Sequence, residues 1–139
     1  MKRKIIALLL TMGIVYSFNM GVFAVEKEAT SITKNDTRNS NTADVRTTLA
    51  ISSNTSLSKV KVVGKSGTTK IYIEMTLQKK SGGSWGTVQT WSDTKKAKSF
   101  SLSKNKTIKK GTYRVKGFVK VYKGKHFESI TTYTDPVKC

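Results

Sequence analysis

From Asp44 onward, apolar and polar residues alternate with a period of two. Val45, Thr47, Leu49 and Ile51 fall on one side, and Arg46, Thr48 and Ala50 on the other. Ile71, Ile73, Met75 and Leu77 alternate with Lys70, Tyr72, Glu74, Thr76 and Gln78. Tyr113, Val115, Gly117, Val119 and Val121 alternate with Thr112, Arg114, Lys116, Phe118, Lys120 and Tyr122. A period of two marks strands that bury one face. Shorter strands are expected at 58–63, 87–92, 98–103 and 127–134. The last of these turns inward either through Phe127 and Tyr133 or through Ile130 and Thr132; the pattern leaves both open. Turn-forming clusters separate the segments: Ser52-Ser53-Asn54, 64–67, Ser81-Gly82-Gly83, 93–96, 105–111 and Lys123-Gly124. Seven short strands in residues 44–139 predict an all-β fold, an antiparallel sandwich, because one sheet alone would leave an apolar face wet.

The chain before Asp44 reads differently. Lys2, Arg3 and Lys4 precede a mostly apolar run from Ile5 to Val15, and Val22-Phe23-Ala24 offers a small residue at a cleavage position. This is the layout of a secretory signal peptide over residues 1–24. Thr11, Gly13, Ser17, Asn19 and Gly21 interrupt the apolar span, and no basic cluster follows it, so cleavage is expected rather than a retained anchor. No Cys lies near that position to support a lipid anchor. Residues 25–43 are polar with no sustained period and are expected to form a flexible tail. The expected destination is outside the cell.

A resemblance enters at Gly111-Thr112-Tyr113-Arg114-Val115. This run is similar to the start of strand F in immunoglobulin-like and fibronectin-III-like domains, where a tyrosine corner bonds the preceding loop. Val115 stands where those domains carry Cys, Lys109 where an Asp is usual, and no Trp lies on the third strand. The resemblance therefore implies an immunoglobulin-like sandwich of about seven strands without its inter-sheet disulfide. Over a longer span, Leu77–Trp91 (LQKKSGGSWGTVQTW) with Lys109–Val121 (KKGTYRVKGFVKV) resembles a family of small secreted proteins of Gram-positive bacteria. That likeness implies export and a β fold, and it transfers no catalytic residue.

Groups for catalysis are scarce. Any Ser-His-acid or Cys-His system would run through His126, the sole histidine, which follows the basic turn Lys123-Gly124-Lys125 without an orienting carboxylate. Glu74 and Glu128, if both face outward, would stand about 10 Å apart across strands spaced ~4.8 Å, near the upper limit for an inverting glycosidase pair. Neither is expected to sit beside an apolar pocket that would raise its pKa, so both are expected to be solvated charges pairing with lysines. No metal-ligand spacing occurs, and Gly82-Gly83 joins two strands rather than a strand and a helix, which is not a phosphate loop. Cys139, unpaired within the chain, is either an intermolecular disulfide partner or a terminal thiol without a role. No enzyme activity, cofactor or metal is expected.

Charge changes the picture most. The chain carries 26 Lys and Arg against 8 Asp and Glu, a net charge of +18. Three basic residues lie in the leader, and three in the tail are balanced by three acids. Residues 44–139 therefore hold 20 basic and 5 acidic side chains, and the span 94–127 holds twelve basic residues and no acid. Lysine supplies 22 of the 26, which suits non-directional attraction to polyanions better than base or bidentate phosphate reading. The same bias would also keep a secreted protein soluble and guard strand edges. Tyr72, Phe118 and Tyr122 alternate with the apolar residues of their strands, and Trp85 and Trp91 share a face if the fourth strand is regular. With Arg114, Lys116 and Lys120 they form the expected binding face: Tyr72, Trp85, Trp91, Arg114, Lys116, Phe118, Lys120 and Tyr122. The competing expectation turns one or both indoles inward at a bulge to cap the core.

The function expected from these features is a non-catalytic secreted module that binds an anionic or glycan cell-envelope component, or a protein partner, and so associates with the cell wall. Specific nucleic-acid recognition is not expected. The alternative is a small cationic antagonist acting on anionic membranes, although no amphipathic helix follows the leader.

Overall fold

In the computed structural model, which describes residues 27–34 and 41–139, the alternating segments pair antiparallel throughout. In chain order the strands are β1 (Lys27–Lys34), β2 (Thr42–Ser52), β3 (Thr55–Gly64), β4 (Lys70–Ser81), β5 (Ser84–Lys95), β6 (Ser99–Thr107), β7 (Thr112–Lys123), β8 (His126–Tyr133) and β9 (Val137–Lys138). Three two-residue turns close hairpins, at Ser53-Asn54, Gly82-Gly83 and Gly124-Lys125. The first residue of each has positive φ, at 52°, 64° and 64°. Positive φ matches the twist of paired strands and is least costly at glycine, which explains Gly82 and Gly124.

The strands divide into two sheets, with orders β1-β2-β3-β6 and β5-β4-β7-β8, and β9 adds to β7 beyond the end of β8. The chain changes sheets between β3 and β4, between β5 and β6, and between β6 and β7. These crossings fold it into a sandwich. Between the sheets lie Val45, Leu49 and Ile51 of β2, Val60 and Val62 of β3, and Leu102 of β6. Facing them are Ile71, Ile73, Met75 and Leu77 of β4 and Val115, Val119 and Val121 of β7. For β2, β4 and β7 these are the inward positions that the alternation predicts. Tyr113 is 2% exposed and its hydroxyl donates to the Lys109 carbonyl at 2.7 Å, the tyrosine corner that the Gly111–Val115 run implied.

Gly117 sets how closely the sheets approach at mid-core. A Cβ there would lie 2.7 Å from Thr47 Oγ1 and 2.9 Å from Thr132 Oγ1. Those two buried hydroxyls bond each other across the sandwich at 2.5 Å, one from each sheet. The missing side chain therefore makes room for a polar cross-link in a place where only paired hydroxyls can be buried without penalty. Ser58 is the contrasting case. It is fully buried and its hydroxyl has no hydrogen-bond partner.

Several expectations are corrected. Residues 27–34 of the expected flexible tail form β1, pairing with β2 from Lys27↔Ile51 to Lys34↔Asp44. Side-chain burial does not decide the fate of this segment, because a strand added to an open edge gains backbone hydrogen bonds that polar residues supply equally well. Ala29 packs against the core, and the Lys27 ammonium donates to the Lys138 carbonyl at 2.8 Å. Residues 25–26 and 35–40 of that tail, and the whole signal peptide, lie outside the described residues. The strand count rises from seven to nine through β1 and the short β9, whose Val137 is buried. The two open registers of the last strand resolve to Ile130 and Thr132 inward, since Thr132 is buried while Phe127 and Tyr133 are 51% and 44% exposed.

Two substitutions test this core. Gly117→Ala forces a methyl group into the threonine pair and is expected to cost about 1–3 kcal/mol, the range for overpacking. Ser58→Ala removes a buried unsatisfied hydroxyl and is expected to gain about 1 kcal/mol. Urea unfolding followed by far-UV circular dichroism should show midpoints displaced in opposite directions.

Candidate functional site

The pleat of β7 lays out the site. Its inward residues fill the core, so Arg114, Lys116, Phe118, Lys120 and Tyr122 stand in a row on the outer face of the sheet. β4 places Gln78, Thr76, Glu74, Tyr72 and Lys70 opposite them on one side, and β8 places Tyr133, Thr131, Ser129 and Phe127 opposite on the other. Glu74 is the one carboxylate in these rows.

Two clusters occupy this face. In the first, the Arg114 guanidinium lies 4.3 Å from the Trp85 ring centroid and 4.4 Å from that of Tyr133, between two aromatic rings. Its Nε donates to Gln78 Oε1 at 2.7 Å, which fixes the plane of the group. In the second, the Lys120 ammonium lies 5.8 Å from the Tyr72 ring, 5.9 Å from Phe118 and 5.1 Å from Phe127. Lys70 stands 4.2 Å from the Tyr122 ring, which packs at 5.2 Å against Phe127. Contacts of this kind contribute about 0.5–1 kcal/mol each when exposed. They hold flexible cations upright and leave the charge accessible to anions. Lys116 lies between the clusters, opposite Thr76 and Tyr133.

Seven of the eight expected residues share this face: Tyr72, Trp85, Arg114, Lys116, Phe118, Lys120 and Tyr122. Trp91 does not. β5 holds a bulge where its pairing with β4 slips between Leu77 and Gln78. The extra residue, Val88, reverses the alternation, so Trp85 keeps its outward position while Trp91 sits opposite Met75 and packs on the core. One inserted residue exchanges the faces of everything beyond it. Phe127, Tyr133, Lys70 and Gln78 complete the face and were missing from the expected set. The two aromatics belonged to the open choice of register in β8, and once that strand turns Ile130 inward they must point out.

Tyr72 is the titratable group whose environment is most telling. Its hydroxyl donates to Glu74 Oε2 at 3.0 Å, and burial first, then this neighbouring carboxylate, holds its pKa above the ordinary 10.0. Glu74 is thereby engaged within the face. Glu128 is not its partner on that face, contrary to the outward geometry considered for a carboxylate pair. It points to the other side of the sheet, where its Oε1 accepts from the Asn41 backbone N–H at 2.9 Å and from the Thr42 hydroxyl at 2.5 Å. The two carboxylates lie on opposite faces and cannot flank one glycosidic bond. His126 is exposed at the β7–β8 turn. Among the described residues no group of three His, Cys, Asp or Glu could hold a metal ion, and no helix is long and apolar enough to cross a membrane.

The fold and this face together define a two-sheet β-sandwich with a basic, aromatic outer surface. No family model, no curated protein and no solved structure matches the chain.

Two measurements follow. Trp91→Ala is expected to cost about 2–3 kcal/mol, somewhat below the range for a fully enclosed ring, and Trp85→Ala about 1 kcal/mol; urea unfolding of both variants checks the difference. The Tyr72 phenol should titrate above pH 10.0 by ultraviolet absorbance, and Glu74→Gln should move it down. The sign is that of a proton held more tightly by the folded chain, so the linked stability is present below pH 10.0 and lost as pH rises through the folded value.

Proposed function

We propose that this protein is a non-catalytic binding module, exported from the cell, that attaches to an anionic polymer of the cell envelope through the outer face of β5-β4-β7-β8. The observation that carries the proposal is the arrangement of Arg114, Lys116, Lys120 and Lys70 among Trp85, Tyr133, Tyr72, Phe118, Tyr122 and Phe127, with Glu74 as the one carboxylate in the outward rows. Cations held over rings attract phosphate or carboxylate groups, while exposed ring edges and faces offer contact to sugar or glycerol units between the charges. Export rests on the leader-like residues 1–24, and the resemblance to small secreted Gram-positive proteins supports the same compartment.

Purified cell wall pull-down across a salt series tests this reading. Retention should be strong at low ionic strength and fall steadily with salt, as counterion release requires. Lys116→Glu with Lys120→Glu should reduce low-salt retention at least tenfold. Retention absent at low salt, or unchanged in that variant, would sink the proposal.

A further inference from the structure

The opposite face of the sandwich also gathers cations. On β2 and β3, Arg46 pairs with Lys61 and Thr48 with Lys59, so three basic side chains and one hydroxyl form the corners of a single block on the outer surface. All three basic residues are exposed. Like charges directly opposite in a sheet repel, and this block sets Arg46 against Lys61 with Lys59 two residues away on the same side. Glu28 of β1 lines the same depression, which has a volume of about 280 Å³ and is bounded by Glu28, Arg46, Thr48, Lys59 and Lys61. A carboxylate of the chain's own thus marks the edge of a place where negative charge is favoured. Neighbouring β6 continues the face with Ser101 opposite Lys61 and Ser103 opposite Lys59, small hydroxyls that leave it open to a long ligand.

We infer that this depression is a second anion-binding site, able to hold a phosphate group of a linear polymer, and that the domain bridges two polymer strands. Arg46 supplies the planar fork that matches phosphate oxygens, Lys59 and Lys61 supply point charges, and Thr48 supplies a hydroxyl donor. The two sheets pack back to back at about 10 Å, so the two outer faces look in opposite directions. A strand lying on one face cannot also lie across the other without wrapping an edge, and two strands meet the geometry directly. The bridging half of this inference rests on the face proposed above; the second site does not.

Long-chain inorganic polyphosphate is the probe, with binding read by fluorescence anisotropy of labelled polymer and bridging read by turbidity, both at low salt. The wild type should bind and produce turbidity. Lys59→Glu with Lys61→Glu should abolish turbidity while retaining binding, and Lys116→Glu with Lys120→Glu should do the same through the remaining site. Glu28→Gln should tighten binding severalfold when introduced into the Lys116→Glu, Lys120→Glu background. A charge-matched control, Lys109→Glu with Lys110→Glu in the β6–β7 loop, should retain turbidity. The inference is overturned if the control loses turbidity as fully as Lys59→Glu with Lys61→Glu, or if the latter variant keeps it. It is also overturned if Lys116→Glu with Lys120→Glu removes all binding, because the second site would then hold nothing. If that last variant leaves both signals unchanged while Lys59→Glu with Lys61→Glu removes binding, the second site stands, and both the first face and the bridging fail.

Discussion

Strand β7 is hydrogen-bonded on both edges, to β4 along one and to β8 and then β9 along the other. A strand fixed on two sides cannot slip, because a shift of one residue would expose Val115, Val119 and Val121 and bury Arg114, Lys116 and Lys120. Burying those three charges unpaired would cost far more than the whole domain gains by folding. The core and the candidate site are therefore the two sides of one constraint. The Val115 N–H completes it where β8 gives way to β9, by donating to the Thr134 hydroxyl at 3.0 Å while the Thr134 N–H donates to the Val115 carbonyl at 2.9 Å. That exchange carries the ladder across the gap before Val137.

Rings on a solvated sheet face lose little by being wet if a cation lies against them. Here the pairing is systematic: the guanidinium of Arg114 sits between two rings, and Lys120 is shared among three. Cross-strand register produces this directly, since Lys120 pairs with Tyr72 on β4 and with Ser129 on β8, and the small serine leaves space for Phe127 to reach across. The rings also separate the cations from one another, so mutual repulsion is spread along the row. A face built this way keeps a high charge density without distorting the strands beneath it.

Much of this was legible in the sequence because a period of two has one physical meaning. The inward rows of β2, β4 and β7 follow it without exception, and Tyr113 announced the corner that closes the β6–β7 loop. Two features escaped, and a third, the inward turn of an indole at a bulge, was among the expectations without its position, for three different reasons. β1 is held by backbone pairing, which leaves no hydrophobic trace in a polar stretch such as 27–34. The bulge at Val88 has no strong signature, since neither neighbour is Gly or Pro, yet it decides that Trp91 enters the core while Trp85 remains outside. Glu128 turns inward because its strand must bury Ile130 and Thr132. A carboxylate next to the core then needs donors, which Asn41, just before β2, and Thr42, at its start, provide. None of these three is a property of one segment read alone.

Where the acids go decides how the net charge is expressed. Residues 44–139 contain five of them, and the three with hydrogen-bond partners are placed differently with respect to the outer faces. Glu128 is turned to the inner side, where it ties down the start of β2. Glu74 receives the Tyr72 hydroxyl. Asp93 accepts from the N–H of the next residue, Thr94, at 2.8 Å. A chain selected only for solubility would gain as much from dispersed charges of both signs, with acids interleaved among the lysines. Here few acids share the outer faces with the cations, Glu74 on one and Glu28 at the edge of the other, while the cations stand in rows on both outer sheets. That asymmetry suits the proposed attraction of polyanions, because an anionic polymer competes for cations with every carboxylate nearby. The lysines of these rows supply density of charge, and only Arg114 and Arg46 bring a fixed hydrogen-bonding fork to the two faces.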